Sequence, residues 1–575
     1  MKRSVRLLAL LLCLTLCMSF TVFATDDPQD VWGDVLQDNF VRITSSDAWN
    51  KGTYENTVLT EEVGNGAIRL AEGQLEGSWV SQEMDVPAFE YMVASWSADT
   101  PKGASVEIMV NAYVDMKSEW TGWMSWGKWG IGIKRGSADT SNALAYVDTD
   151  ILTIKGSSGE TASKIQVKAV LRTAEGGKTP TLRDISATSK NTLEGQSIPV
   201  YYPNAGIELP EKVLLDTPAY SQMRRDGSIG SVICSPTSMT MMINDRNPEL
   251  DLFPEELALR NYDFNYEGFG NWAYTTAVGS AFGYSVSCHY SDLDFVRHEL
   301  AAGRSVALSV RYSNKTSGSN PYLENGAAND TSGHLIVIVG YETIDGVDYF
   351  ISNDAATQPD YKCALRKYRA DQLDVCWNSR LAYTVSLEPE VGAGEDIPQR
   401  IPAKLEQSET NPDGYRLMVD GEQVVLNKSF LRKTSVTGAG TAFLIAKDAP
   451  LENMPEGMKV TTANTEKLTY VGVTNDGDVY ISTSKMQAAG MTDAICYIIV
   501  NDGPTYVAEV TIPAKEEAPT EPATEAPTEA PTEAPTQAPT EAPAEAKGGM
   551  NPAIIVVGVA IVAAAAVVLV KSRKK

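Results

Sequence analysis

Ala553 to Val570 is an uninterrupted run of 18 apolar residues, and the basic tail KSRKK follows it. About 20 apolar residues span a bilayer, so a transmembrane helix is expected over 552–570. Residues 571–575 are then held on the cytoplasmic side by their charge. A buried core helix is the alternative reading, but the flanking KGG and the basic cluster suit a stop-transfer anchor. At the other end, Lys2, Arg3 and Arg6 precede an apolar run from Leu7 to Phe23 that closes in VFA. That pattern is a secretory leader, expected over 1–24 with cleavage after Ala24. Everything between the two runs is therefore expected outside the cell, on a single-pass membrane protein.

Immediately before the anchor, residues 515–547 repeat Glu-Ala-Pro-Thr. Proline, acidic and small residues bury too little surface to fold, so this segment reads as an extended stalk. At about 3.1 Å per residue it reaches on the order of 100 Å, enough to carry folded domains through a thick wall. A bacterial cell surface with one membrane fits that geometry. The formal charge of −26 becomes −29 once the leader's three basic residues are gone, and no basic patch stands out. Nucleic acid is thus excluded as a partner.

Cys13 and Cys17 leave with the leader, and Cys234, Cys288, Cys363, Cys376 and Cys496 remain. An odd number over so long a chain is no disulfide scaffold, although the spacing leaves a Cys363–Cys376 pair open. With His289, His298 and His334 as the only histidines, and no HExxH or CxxC pairs, neither a zinc site nor another cofactor is expected.

The exported part is too long for one core, and three folded domains are expected. Over 30–197, SVEIMVNAYVDM, SKIQVKAVLRT and EYMVASWSA alternate apolar and polar residues, which predicts an N-terminal β-sandwich. Within it, Trp120, Trp123, Trp126 and Trp129 recur every third residue, a period that fits neither a strand nor a clean helix. Packing in the sandwich is the expectation; an aromatic platform for a glycan or protein ligand is the alternative. Over 205–390 the pattern is mixed α+β. SPTSMTMMIND and DLDFVRHELAAG read as helices, and HLIVIVGYE and DYFISND as strands. Over 400–513, YRLMVDGEQVVL, KLTYVGVT, DVYISTS and AICYIIVND read as strands of a small β domain. Its NDGD (475–478) reads as a hairpin turn, with calcium binding as the alternative.

The central domain carries the chemistry. In ICSPTSM, Ser235 is expected as an N-cap and Pro236 as the first helical residue, with Met239, Met242 and Ile243 on one apolar face. Cys234 would then sit at the positive end of a helix dipole, where a thiol is acidified. A free cysteine that merely packs is the bland alternative. Farther on, strands His334–Tyr341 and Asp348–Ser352 flank Asp345-Gly346, a strong two-residue hairpin signal. Such a hairpin pairs Ile338 with Asn353 and leaves Asp354 about a diagonal step from His334. Cysteine catalysis needs a base to hold the thiolate and a third group to orient that base, and the order Cys, His, Asp is the papain-type order. Gln222, twelve residues before Cys234, offers a side-chain amide for an oxyanion.

In this order AYSQM, ICSPTSM, GFGNWAY, GHLIVIVGY and NDAA resemble the extracellular relatives of cysteine peptidase family 39, a papain-type fold, over about 210–385. The resemblance implies Cys234 as nucleophile, His334 as general base and acid, Asp354 as the orienting carboxylate and Gln222 in the oxyanion hole. It assigns no role to Trp272. Transporter-fused leader peptidases of that family usually have glycine after the cysteine and proline after the aspartate; here Ser235 and Ala355 stand in those places. No transporter motif accompanies them, so secreted proteins, host proteins or wall peptides are the expected substrates. The reading is a surface-anchored thiol hydrolase, in first place a cysteine peptidase. A non-catalytic adhesin, and an amide hydrolase or acyl transferase other than a peptidase, are the alternatives.

Overall fold

The computed structural model describes residues 33–394 and most of 399–512. The leader, the stalk, the apolar run at 552–570, the basic tail and the first two residues of the NDGD segment lie outside the described residues. Among the described residues no helix is long and apolar enough to cross a membrane. The chain is strand-rich, with several sheets and few helices.

The N-terminal block is two antiparallel sheets. The first runs Val35–Gln37, Phe40–Ile43, Thr181–Lys190, Tyr91–Asp99, Ile151–Ile154, Ala145–Asp148, with Thr57–Thr60 and Ala67–Leu70 attached to it. The second runs Glu119–Trp120, Ser105–Val114, Ala162–Arg172, Glu76–Val80, Thr53–Glu55, with Met84–Phe89 and Met124–Trp129 paired alongside. In Ser105–Val114 the alternation has its ordinary consequence. Val106, Ile108, Val110, Ala112 and Val114 are buried, while Glu107, Met109, Asn111 and Tyr113 face outward, half-buried.

The tryptophan period has a local cause. Met124–Trp129 pairs with Ser105–Val114, and the register shifts between Ser125 and Lys128. Gly127 takes φ +93° in this bulge, and a Cβ there would lie 2.2 Å from the Gly136 carbonyl oxygen. The extra residue lets Trp126 and Trp129, three apart, enter the same core. Trp126 Nε1 donates to the Asp150 carbonyl at 2.8 Å. Trp120 and Trp123 stay half-buried instead. Trp120 meets Tyr113 edge-on at 5.4 Å, and Lys168 Nζ lies 5.9 Å from the Trp123 ring.

Strands Tyr91–Asp99 and Thr181–Lys190 break the one-sided pattern, for nearly every residue in them is buried. Their outer face is covered by strand Val286–Tyr290 and helix Trp272–Ser280 of the central block. The small hydroxyls along it accept the N–H groups of that strand: Ser95 Oγ from Cys288 at 3.0 Å and Thr188 Oγ1 from Tyr290 at 2.8 Å. Arg183, fully buried, holds Asp99 at 2.6 Å, Glu390 at 2.5 Å and the Ser280 carbonyl at 2.7 Å. The two blocks share one hydrophobic core.

The central block is a seven-stranded antiparallel sheet ordered Val286–Tyr290, Leu381–Val385, Val306–Ser313, Asp330–Ile344, Val347–Asn353, Arg366–Arg369, with Val213–Leu214 beside Asp330–Ile344. Helices Cys234–Arg246, Pro254–Asn261 and Trp272–Ser280 pack together on it. The third block is an eight-stranded sheet within 400–511, in which Arg400–Gln407 runs parallel to Thr505–Thr511. Its DVYISTS run yields only the short strand Val479–Tyr480. The last two residues of the run, Thr483 and Ser484, instead open helix Thr483–Ala488. The block docks on the central helices through Arg400, 3.1 Å from Glu256 and stacked over Phe253 and Tyr497.

Candidate active site

Cys234 is the first residue of helix Cys234–Arg246. The helix starts two residues earlier than expected, with Ile233 before it, so Ser235 is not its cap. The buried Ser235 hydroxyl instead turns sideways to Thr275 Oγ1 at 2.8 Å and Tyr383 Oη at 3.1 Å. Nor is the helix one-faced: Ser235 through Asn244 are all buried, because neighbouring helices and the sheet enclose it. Ser238 Oγ ties it to the sheet through the Leu335 carbonyl at 3.2 Å. The half-buried Cys234 sulfur therefore lies beside His334, the residue before Leu335.

The hairpin that carries His334 turns at Asp345 (φ +50°) and Gly346 (φ +77°), with Ile344 opposite Val347. The register holds to Gly340–Ile351 and then slips by one at Val339, so that Val337, not Ile338, pairs with Asn353. Side chains alternate between faces, so this bulge decides the site. Without it Asp354 would continue opposite Val337, on the face away from His334. With it Asp354 falls diagonally across from His334 on the same face. His334 Nε2 and Asp354 Oδ1 lie 2.8 Å apart.

His334 also interacts with the Cys234 side chain, by hydrogen bond and by charge, while its Nε2 faces Asp354. Burial pushes the Cys234 thiol up, but the hydrogen bond and charge of His334, with the N–H groups of Leu335 and Ser235, bring it below its ordinary value. Burial alone would lower His334; the charge and hydrogen bond of Asp354, then those of Cys234, raise it to about 10. Burial likewise opposes ionisation of Asp354, yet His334 and two phenols hold its carboxyl well below the usual carboxylate range. These phenols, Tyr312 and Tyr368, bond Asp354 Oδ2 at 2.6 Å and 2.7 Å. Sequence reasoning missed both.

Gln222 opens a single 3₁₀ turn, Gln222–Arg224. Its backbone N–H donates to Ala355 O at 3.0 Å, next to Asp354, and its Nε2 donates to Gly230 O at 3.0 Å. Among the described residues its buried Oε1 has no partner. Asp360 pins the loop at both ends of this turn, accepting Ser221 N–H at 2.6 Å and Arg224 Nη1 at 3.0 Å. The loop also needs glycine at 230, where a Cβ would lie 2.6 Å from Gln222 O.

The other histidines are elsewhere. His289 is buried between Phe40 and Phe295 and bonded to Ser287 and Thr384 hydroxyls; burial, with Arg42 and Arg304, pushes it down to about 3, so it stays neutral. His298 lies on helix Leu293–Ala301. Cys234, Cys288, Cys363, Cys376 and Cys496 are all free, so the Cys363–Cys376 pair left open by spacing is not formed. Asn271 of GNWAY caps helix Trp272–Ser280 by accepting Tyr274 N–H at 3.0 Å, and the Trp272 N–H donates to Asp150 of the N-terminal block at 2.6 Å. Among the described residues no cluster of three His, Cys, Asp or Glu is placed to hold a metal.

Two family models match the chain: the peptidase C39 N-terminal domain over residues 39–189, and the peptidase C39-like family over residues 214–383. The central block is thus similar to C39-like cysteine peptidases, and the block before it to the N-terminal domain that accompanies them. No curated protein matches it. Among solved structures it is similar to digestive procathepsin L 3 of the Tenebrio molitor larval midgut, at 13% identity and a TM-score of 0.24, covering 32% of this chain and 72% of that one. It is also similar to TmCBM61 in complex with β-1,4-galactotriose, at 16% identity and a TM-score of 0.15, covering 26% and 88%. A third is the mannan-recognising carbohydrate-binding module TmCBM27, at 10% identity and a TM-score of 0.15, covering 26% and 99%.

Proposed function

We propose that the chain is a cell-surface thiol hydrolase, a cysteine peptidase with a papain-like central domain. The observation that carries this reading is the hydrogen-bonded series Cys234–His334–Asp354, with the cysteine opening a helix. The directions of the two shifts, thiol down and imidazole up, favour a thiolate–imidazolium pair at neutral pH. The Cys234 thiolate attacks a substrate carbonyl carbon, and the carbonyl electron pair moves onto oxygen. Gln222 Nε2 keeps one N–H beyond its bond to Gly230 O, and this N–H with the Cys234 backbone N–H receives the oxyanion. His334 then passes its proton to the leaving amine. Water, deprotonated by His334, releases the acyl group and regenerates the thiolate.

The leader, stalk and apolar run expected from the sequence support a site outside the cell, tethered to a membrane, with extracellular peptides as substrates. Cys234→Ala is the test: it should abolish labelling by iodoacetamide-type probes and all turnover while the circular dichroism spectrum is unchanged. Full activity in that variant would contradict the proposal.

A second reading, a glycan- or protein-binding surface protein, draws on the outer sheet face with Tyr113, Trp120, Trp123 and Lys168. Ligand binding that survives Cys234→Ala, together with a wild type that no thiol probe labels, would favour it. A triad permits any acyl transfer, so amide chemistry other than proteolysis is separated only by substrate profiling.

A further inference from the structure

The Asp354 carboxylate takes four hydrogen bonds, and two of them come from phenols that no step above uses. Oδ1 faces His334 Nε2 at 2.8 Å and the Ala356 N–H at 3.0 Å. Oδ2 faces Tyr312 Oη at 2.6 Å and Tyr368 Oη at 2.7 Å. The phenols arrive from the two strands that flank the hairpin. Tyr312 is the penultimate residue of strand Val306–Ser313, and alternation turns it to the same face as Val310, which pairs with His334, while Arg311 between them is exposed. Tyr368 lies on Arg366–Arg369, opposite Phe350.

The direction of each hydrogen bond is fixed. A phenol has one proton, and Tyr312 Oη already accepts the Ala328 N–H at 3.1 Å, so its own proton goes to Asp354. Tyr368 Oη lies 2.7 Å from Asp354 Oδ2, and since a carboxylate only accepts, the phenol proton goes there as well. Both tyrosines are fully buried, and burial with the Asp354 charge keeps each phenol protonated. The Tyr312 ring also stands edge-on to His334, 6.1 Å between centroids.

We propose that Tyr312 and Tyr368 are positioning residues: their hydroxyls hold Asp354 as an anion and keep Oδ1 turned to His334 Nε2, and so sustain the Cys234–His334 ion pair. The inference rests on the thiol-hydrolase reading. A carboxylate with donors on both oxygens resists rotation and protonation. The other titratable or charged groups around it are Cys234 beyond His334, Cys363 and Asp360 on the following loop, and Arg366 behind Tyr368. Without the phenol protons Asp354 takes up a proton at higher pH, His334 loses its counter-ion, and the thiolate is lost at higher pH as well.

The test is the rate of Cys234 alkylation by iodoacetamide against pH, from about 3 to about 9, for the whole exported chain. Wild type, Tyr312→Phe, Tyr368→Phe and the double variant are compared. The acid limb should move up in each single variant and by about one unit or more in the double, a tenfold slower reaction at a fixed pH on the limb. Should the double variant not fold, the singles carry the test. A limb that stays with wild type, even with a lower plateau rate, overturns the clamp alone. A wild-type Cys234 whose rate rises only near the ordinary thiol range overturns the ion pair, and the clamp with it.

Discussion

His334 and Asp354 meet at 2.8 Å because the hairpin between them slips by one residue at Val339. The tight Asp345-Gly346 turn alone would send the carboxylate to the opposite face of the sheet. The acid is thus placed by a bulge six strand positions from the turn, and the charge it brings should be felt at the thiol.

Asp354→Asn keeps the size of the group and removes the charge that raises His334. The imidazole then falls back toward its ordinary range and the proton returns to Cys234. Alkylation at neutral pH should slow by about tenfold or more, with the fold intact. An unchanged rate would show that Asp354 does not set the pair.

The same carboxylate links folding to pH. Its folded-state pKa is depressed, so its contribution to stability is present above the unfolded value near 4 and is lost as pH falls through and below that range. Urea midpoints for wild type and Asp354→Asn should therefore differ at pH 7 and converge between about pH 5 and pH 2. A gap independent of pH would contradict the assignment.

Gln222→Ala removes the proposed oxyanion donor and leaves the thiol in place. Turnover should drop on the order of 10²–10³-fold while Cys234 labelling persists. Loss of labelling along with turnover would instead mark Gln222 as a support for the loop through its Gly230 bond.

Arg183 joins the N-terminal and central blocks by holding Asp99 and Glu390 in a buried interface. Arg183→Met strands two buried carboxylates, and about 3–5 kcal/mol of stability should be lost in a chemical-denaturant titration. A change within error would mean that the interface hydrates freely.

Much of the site was legible because its chemistry is tied to local patterns: a cysteine ahead of a helix-forming run, and a histidine and an aspartate flanking a hairpin signal. Tyr312 and Tyr368 were not legible. Their approach to Asp354 depends on the order of the strands in the sheet, which leaves no mark in the residue pattern. Ser235 misled in another way, since a serine before proline matches a cap by type but here serves two buried hydroxyls. The N-terminal strands were legible from their alternation. Their union with the central block was not, because Ser95, Ser97 and Thr188 look like solvent-facing residues until a second strand takes up their oxygens.

The central claim, that Cys234 is the nucleophile of a peptide-bond hydrolase, is tested most directly by incubating the purified exported chain with a mixed peptide library. Wild type and Cys234→Ala are read side by side by mass spectrometry. The account predicts new peptide termini with wild type and none with the variant; the same cleavages from both proteins would contradict it.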